Sequence, residues 1–116
     1  MHNDPALAGM FVTLDRFAPA VRQRIVRLYR ESLVEQLGLL DQALAEGELD
    51  RAAQAAHKMA SSAAMMQDLN VSPRAKDVEN PALARSAEDA RGAWPALKAA
   101  AETSLRQLEQ AYPETA

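Results

Sequence analysis

His57 lies within a run of small and flexible residues, AAHKMASSAAMM, which covers residues 55–66. Apart from His2 near the start of the chain it is the only histidine, and the chain contains no cysteine. A lone neutral imidazole can act as a general base, bind a metal, sense pH or act as a nucleophile. The chemistry that this sequence can support therefore depends on what surrounds His57.

The residues near His57 in the sequence disfavour two of these roles. A general base needs a nucleophile or substrate pocket beside it, and the sequence contains no such constellation. A metal needs a second strong ligand one helical turn away, where the chain has Gln54, Ala53, Ala60 and Ser61. We therefore expect no metal or cofactor in this chain. A nucleophile that accepts a phosphoryl group needs least from its own chain, because a partner can supply positioning and charge neutralisation.

Helical periodicity places His57 at the border between core and solvent. At about 100° per residue, Ala56 lies at the centre of an apolar face. His57 lies about 100° from that centre and is surrounded by small residues. These small residues are Ala53, Ala60, Ser61 and Ala64. Together with Lys58 they form the predicted docking surface for a large partner. The pattern fits equally well a histidine without a role among alanines selected for helix propensity.

Length and charge suggest a small cytoplasmic protein. The chain has 116 residues and a formal net charge of −3, which predicts one domain over residues 1–116. Acidic and basic residues are interspersed, so neither nucleic acid nor an anionic membrane is the expected partner. No apolar run approaches the roughly 20 residues that span a bilayer, and the N-terminus does not resemble a signal peptide.

Composition predicts an all-α fold. Ala, Leu, Arg, Glu and Gln are frequent, and no alternating apolar and polar run suggests a strand. The expected architecture is an antiparallel four-helix bundle with a short N-terminal helix capping one end. The predicted helices cover about 4–15, Pro19 to about Glu46, about Glu48 to Asn70, Ser72 to about Glu79, and Ser86 or Ala90 to Gln110.

Glycine and proline set the predicted helix ends. Gly47 ends the second helix, and Ser72 caps the fourth helix with Pro73 in its first position. Asn80-Pro81 is expected to end the fourth helix, and residues 81–90 fit either a linker or a further turn. Pro95 either delays the last helix to about Gly92 or kinks it. The predicted apolar stripe of the second helix has one irregular step of five, before Leu33, and comprises Val21, Ile25, Leu28, Leu33, Leu37, Leu40 and Leu44.

Residues 39–63 read LLDQALAEGELDRAAQAAHKMASSA, in which a short acidic and glycine-containing turn precedes Ala56-His57, Met59 and Ser62. With this stretch, residues of about 25–80 resemble histidine-containing phosphotransfer (Hpt) domains, the relay proteins of multistep two-component systems. That family has a helix reading roughly A-H-x-L-K-G-S after such a turn, and this chain has Met59 in the leucine position and Ser62 in the serine position. Further matches are Leu44, Gly47, Leu69, Val71, Ala75 and the pair Val78-Glu79.

The chain departs from the family pattern beside the histidine. Ala60 replaces the usual lysine three residues on, Ser61 replaces the usual glycine, and Gln67 replaces a later glycine. The lost cation would help to hold a phosphoryl group, and Lys58 or Ser61 are the available substitutes.

The resemblance implies that His57 is phosphorylated, on Nε2, and relays a phosphoryl group between receiver-domain aspartates. The chain would then be a monomeric carrier rather than an enzyme, with Mg²⁺ supplied by the receiver. Two alternatives stay open at this stage. One is a helical adaptor that binds and inhibits a receiver or histidine kinase without accepting a phosphoryl group. The other is a helical oligomerisation module.

Overall fold

A computed structural model describes residues 4–114, and every regular element in that range is helical. The predicted all-α class is therefore confirmed. His2 and the outermost positions of the predicted 1–116 domain lie outside the described residues. A short 3-10 turn, Pro5–Leu7, precedes five helices: α1 Ala8–Asp15, α2 Pro19–Glu46, α3 Leu49–Met65, α4 Ser72–Leu83 and α5 Ala87–Ala111.

The predicted limits of α2 are confirmed at both ends. Pro19 occupies its first turn, where the missing N–H has no partner to lose. Gly47 ends the helix with a φ of 72°, a left-handed conformation that costs glycine little. The next residue turns back at once, because the N–H of Glu48 donates to the carbonyl of Ala43 at 2.8 Å. This tight turn sets where α3 begins.

The predicted apolar stripe of α2 is wrong in its first half. Val21 and Leu28 are exposed, at 48% and 59%. The buried positions run in steps of three and four from Val26 through Tyr29 to Ala43. Tyr29, in register with Val26 and Leu33, lies in the core instead of Leu28, and its hydroxyl donates to Oδ2 of Asp68 at 2.7 Å. Burial, with the Asp68 carboxylate beside it, raises the pKa of Tyr29 far above its ordinary value.

α3 ends earlier than predicted, at Met65 rather than Asn70. The backbone leaves the helix at Gln67, which has a φ of 59°. The following Asp68 is fully buried, and its Oδ1 accepts from the N–H groups of Asn70 and Val71. The buried carboxylate thus stabilises the turn that precedes α4 and anchors the connection between α3 and α4 to Tyr29 on α2.

α4 continues through Asn80-Pro81, contrary to the predicted break, and ends at Leu83. Pro81 removes one helical N–H, but its carbonyl still accepts from Ser86 at 2.9 Å and neighbouring Ala82 is buried. Ser72 is the first helical residue rather than the cap. Ser86 caps α5 by accepting from the N–H of Asp89, and α5 then runs without interruption through Pro95.

The four longer helices surround one core. α3 packs against α2 and α4, and α5 packs against α4 and α2. At one end, the hydroxyl of Tyr112 donates to Asp15 at 2.7 Å and the N–H of Leu69 donates to Ala6 at 3.1 Å. Burial, aided by Asp15, raises the pKa of Tyr112 to about 12. None of the helices in the described range is long and apolar enough to cross a membrane.

Candidate functional site

His57 is exposed on the outer surface of α3. Its neighbours Ala56 and Met59 are buried at 0% and 1% exposure and anchor the helix to the core. The side chain of His57 itself is 68% exposed. The predicted border position therefore describes its environment well: a rigid backbone presents an imidazole that a large molecule can reach.

The ring of His57 is held by a carboxylate from the next helix. Nδ1 lies 2.8 Å from Oε2 of Glu79 on α4. A carboxylate can only accept, so in the neutral ring Nδ1 carries the proton and donates it to Glu79. Nε2 then keeps its lone pair. The pair gives the exposed imidazole one orientation and one tautomer, which are the conditions for a nucleophilic nitrogen.

Glu79 is positioned by the packing of α4. Val78 beside it is completely buried, and the side chain of Glu79 is only 14% exposed. In the sequence, Val78-Glu79 matches an apolar-acidic pair that is typical of Hpt domains, but the pattern predicts no function for Glu79. Only the packing of α4 on α3 brings this carboxylate to the imidazole, across 22 positions of sequence.

The structure corrects the predicted docking surface at two of its five positions. Ala53 and Ala60 are buried, at 6% and 3% exposure, because α4 packs closely on that side of α3. Their side chains cannot form a broad exposed contact area. Lys58, Ser61 and Ala64 are exposed as predicted.

A shallow cavity of about 720 Å³, here called the His57 groove, lies over this part of α3. Two exposed leucines flank it, Leu39 from α2 at 39% exposure and Leu83 from α4 at 63%. Neither leucine is predicted from the sequence, because Leu39 lies outside the predicted stripe of α2 and Leu83 lies beyond the predicted end of α4. The other residues that line the groove are Gln36, Asp50, Arg51, Ala53, Gln54, Ala55, His57, Lys58 and Glu79.

A larger cavity of about 950 Å³ between α2 and α5 is a poorer candidate. It contains Val34 and Leu105 between charged side chains that pair with one another, such as Arg30 with Glu109. None of its lining residues is a histidine. The described residues also contain no cluster of three or more His, Asp or Glu side chains that could hold a metal ion.

Comparison with known proteins identifies the family of the chain. The family model described as Hpt domain matches residues 24–114, which include α3, α4 and most of α2. The chain belongs to the Hpt domain family. No curated protein and no solved structure matches the chain.

Membership gives the general role of this Hpt domain. Hpt domains take part in phosphotransfer in two-component signalling, where they act as phosphoryl carriers rather than classical enzymes and interact with receiver domains. The match covers the His57 groove completely, from Gln36 to Leu83.

Proposed function

We propose that this Hpt domain relays a phosphoryl group between receiver-domain aspartates through a phosphohistidine at His57. The observation that carries the proposal is the contact of 2.8 Å between Nδ1 of His57 and Oε2 of Glu79 on an otherwise exposed ring. It leaves Nε2 free and directed away from the carboxylate. A phosphorylated receiver can approach this nitrogen from solvent.

The transfer step needs only one nucleophilic atom from this chain. The lone pair of Nε2 forms a bond to phosphorus while the bond from phosphorus to the aspartyl oxygen breaks. The electron pair of that bond returns to the receiver's aspartate as a carboxylate. The imidazole gains positive charge. The carboxylate of Glu79 stabilises that charge because it accepts a charge-assisted hydrogen bond from Nδ1–H, and the proton stays on Nδ1. The reverse sequence passes the group to a second receiver, and we expect the receiver to supply Mg²⁺.

The His57 groove suits a receiver better than a small substrate. It is shallow and open, and its exposed apolar side chains, Leu39 and Leu83, lie on opposite sides of the histidine. Exposed apolar groups around a reactive atom favour protein docking. We expect the contact to include Lys58, Ser61 and Ala64, which are exposed on the same helix.

The same proposal includes the arrangement and setting of the domain. We infer an antiparallel four-helix bundle, with α1 at one end, that acts as a cytoplasmic monomer. Two contacts support the arrangement at the end opposite α1: Nε of Arg91 donates to the carbonyl of Leu44 at 3.0 Å, and Arg85 pairs with Asp50 at 2.7 Å. They join the start of α5 to the end of α2, and the end of α4 to the start of α3.

A non-transferring adaptor is the second candidate. It is favoured by one feature, the uncharged and buried Ala60 one turn beyond His57. An adaptor would bind a receiver or kinase through the same groove but would not need the His57–Glu79 pair.

Phosphotransfer from a phosphorylated receiver or hybrid kinase distinguishes the two candidates. The donor should be one that also phosphorylates a standard Hpt domain. We expect an acid-labile, alkali-stable label on the wild-type protein and none on His57→Gln, with unchanged helical circular dichroism. A donor that binds both proteins and labels neither would support the adaptor. Equal labelling of both would show that His57 is not the acceptor.

A further inference from the structure

The charges around His57 pose a problem once the ring is phosphorylated. The proposed reaction places an anionic phosphoryl group on Nε2, while Glu79 already lies 2.8 Å from the other ring nitrogen. The phosphoryl group and the Glu79 carboxylate would then lie on opposite sides of one imidazole ring, and like charges that close repel each other. A cation close to both anions would offset the repulsion and stabilise the phosphohistidine.

The arginines near His57 already have partners. Arg51 pairs with Glu48, and Arg85 pairs with Asp50 at 2.7 Å. Two lysines remain, Lys58 on α3 and Lys76 on α4. Both are exposed, and neither forms an ion pair with any residue between positions 4 and 114.

The register of α3 and α4 shows where Lys76 lies. His57 contacts Glu79, and Asp50, seven positions earlier on α3, contacts Arg85, six positions after Glu79. The two helices therefore run in opposite directions at this interface. Moving three residues forward from His57 and three backward from Glu79 brings Ala60 level with Lys76.

Lys76 is also close to Glu79 on α4 itself. Residues three apart are neighbours on a helix surface and are separated by about 4.5 Å along the axis. The ammonium of Lys76 stands on a flexible four-carbon stem, which allows it to reach past Glu79 towards the interface of α3 and α4. The residue of α3 that lies level with Lys76 is Ala60, which is buried and uncharged and so supplies no cation there.

Lys58 is placed less well, although it lines the His57 groove. It follows His57 directly and so projects about 100° away around α3. Glu79 draws the ring of His57 towards α4, and helical periodicity turns Lys58 away from α4. Adjacent helical residues do not face each other.

We propose that Lys76 is the phosphoryl-binding residue of this domain, a cation supplied across the helix interface by α4. The inference rests on the proposed function, because it concerns the phosphorylated state of His57. Lys76 forms and breaks no covalent bond. Its ammonium binds the phosphoryl oxygens after Nε2 has bonded to phosphorus.

Three matched variants test this assignment: Lys76→Gln, Lys58→Gln and Lys98→Gln. Each removes one positive charge from an exposed helical position, and Lys98 lies on α5. Each protein is phosphorylated with potassium phosphoramidate, which needs no receiver. The phosphorus-31 resonance that is absent from His57→Gln, and so belongs to phosphorylated His57 rather than His2, is followed against pH. A nearby cation favours the dianionic phosphoryl group. We therefore expect Lys76→Gln to lower its acid dissociation constant about two- to fivefold, the effect of one partly exposed ion pair.

The other two variants should titrate like the wild type, and Lys76→Arg should restore the wild-type value. A change in Lys58→Gln alone would assign the cation to α3 and overturn the proposal. Equal changes in all three variants would also overturn it, because they would reflect net charge alone. A wild-type protein that accepts no phosphoryl group from either phosphoramidate or a receiver would overturn the proposed function, and this inference with it.

Discussion

At the scale of single residues, the proposed reaction depends on an exposed group held by a sheltered one. The side chain of His57 is 68% exposed, whereas that of Glu79 is 14% exposed. Exposure provides access for a partner, and the sheltered carboxylate limits rotation of the ring. Histidine acts as a nucleophile only with the reacting nitrogen unprotonated, so the hydrogen bond at Nδ1 matters for the chemistry at Nε2.

Replacing Glu79 with alanine should slow phosphotransfer without preventing it. The ring would lose its orientation and the charge-assisted hydrogen bond, and we expect the rate of transfer from a phosphorylated receiver to fall about tenfold. Glu79→Gln should retain more activity, since its amide oxygen still accepts from Nδ1. Rapid-quench measurements would give the rates, with Asp77→Ala as the control on the exposed face of α4. Equal rates for Glu79→Ala and Asp77→Ala would contradict the positioning role.

At the scale of helices, the glycine that follows α2 is required by the fold, whereas a glycine within α2 is not. Gly47 has a φ of 72° and makes the turn into α3, which carries His57. Gly38 lies in mid-helix, and a Cβ added there would meet nothing within 4 Å. The same substitution should therefore have opposite effects at the two positions.

Gly38→Ala should raise the free energy of unfolding by about 0.5–1 kcal/mol, because alanine loses less backbone freedom in a helix. Gly47→Ala should lower it by about 1–2 kcal/mol, because a Cβ is strained in the left-handed region. Urea denaturation followed by circular dichroism gives both values. A stabilised Gly47→Ala would show that the turn can relax without cost.

At the scale of the whole molecule, the groove that contains His57 and the groove between α2 and α5 have different characters. The His57 groove has exposed Leu39 and Leu83 beside the proposed nucleophile. The groove between α2 and α5 has Val34 among charges that pair within the chain. This difference predicts that a receiver binds on one side of the molecule only.

Leu83→Ser should weaken binding of a receiver about tenfold, since a leucine near the centre of an interface contributes on the order of 1–2 kcal/mol. Val34→Ser is the matched control, because its side chain is almost equally exposed, at 59% against 63%, but lies in the other groove. Isothermal titration calorimetry gives both affinities. A larger loss of affinity in Val34→Ser than in Leu83→Ser would show that the receiver binds in the groove between α2 and α5.

The amino-acid sequence by itself determined the helical class, the limits of α2 and the border position of His57. These are local properties: proline, glycine and a period of 3.6 residues act over a few positions of the chain. The turn at Gly47 was predictable for the same reason, because a single glycine is a local signal for a helix end. The resemblance around Ala56-His57 also came from contiguous residues, and the family match over residues 24–114 confirms it.

Tertiary packing decided which residues of each helix are covered and which partners meet. Periodicity groups residues on one face but does not say how far a neighbouring helix extends over it, so it predicts accessible positions at Ala53 and Ala60 that α4 covers. It also does not reveal the buried Asp68 that accepts from the hydroxyl of Tyr29. The pairing of His57 with Glu79 depends on the register between α3 and α4, which arises only when their apolar faces pack together.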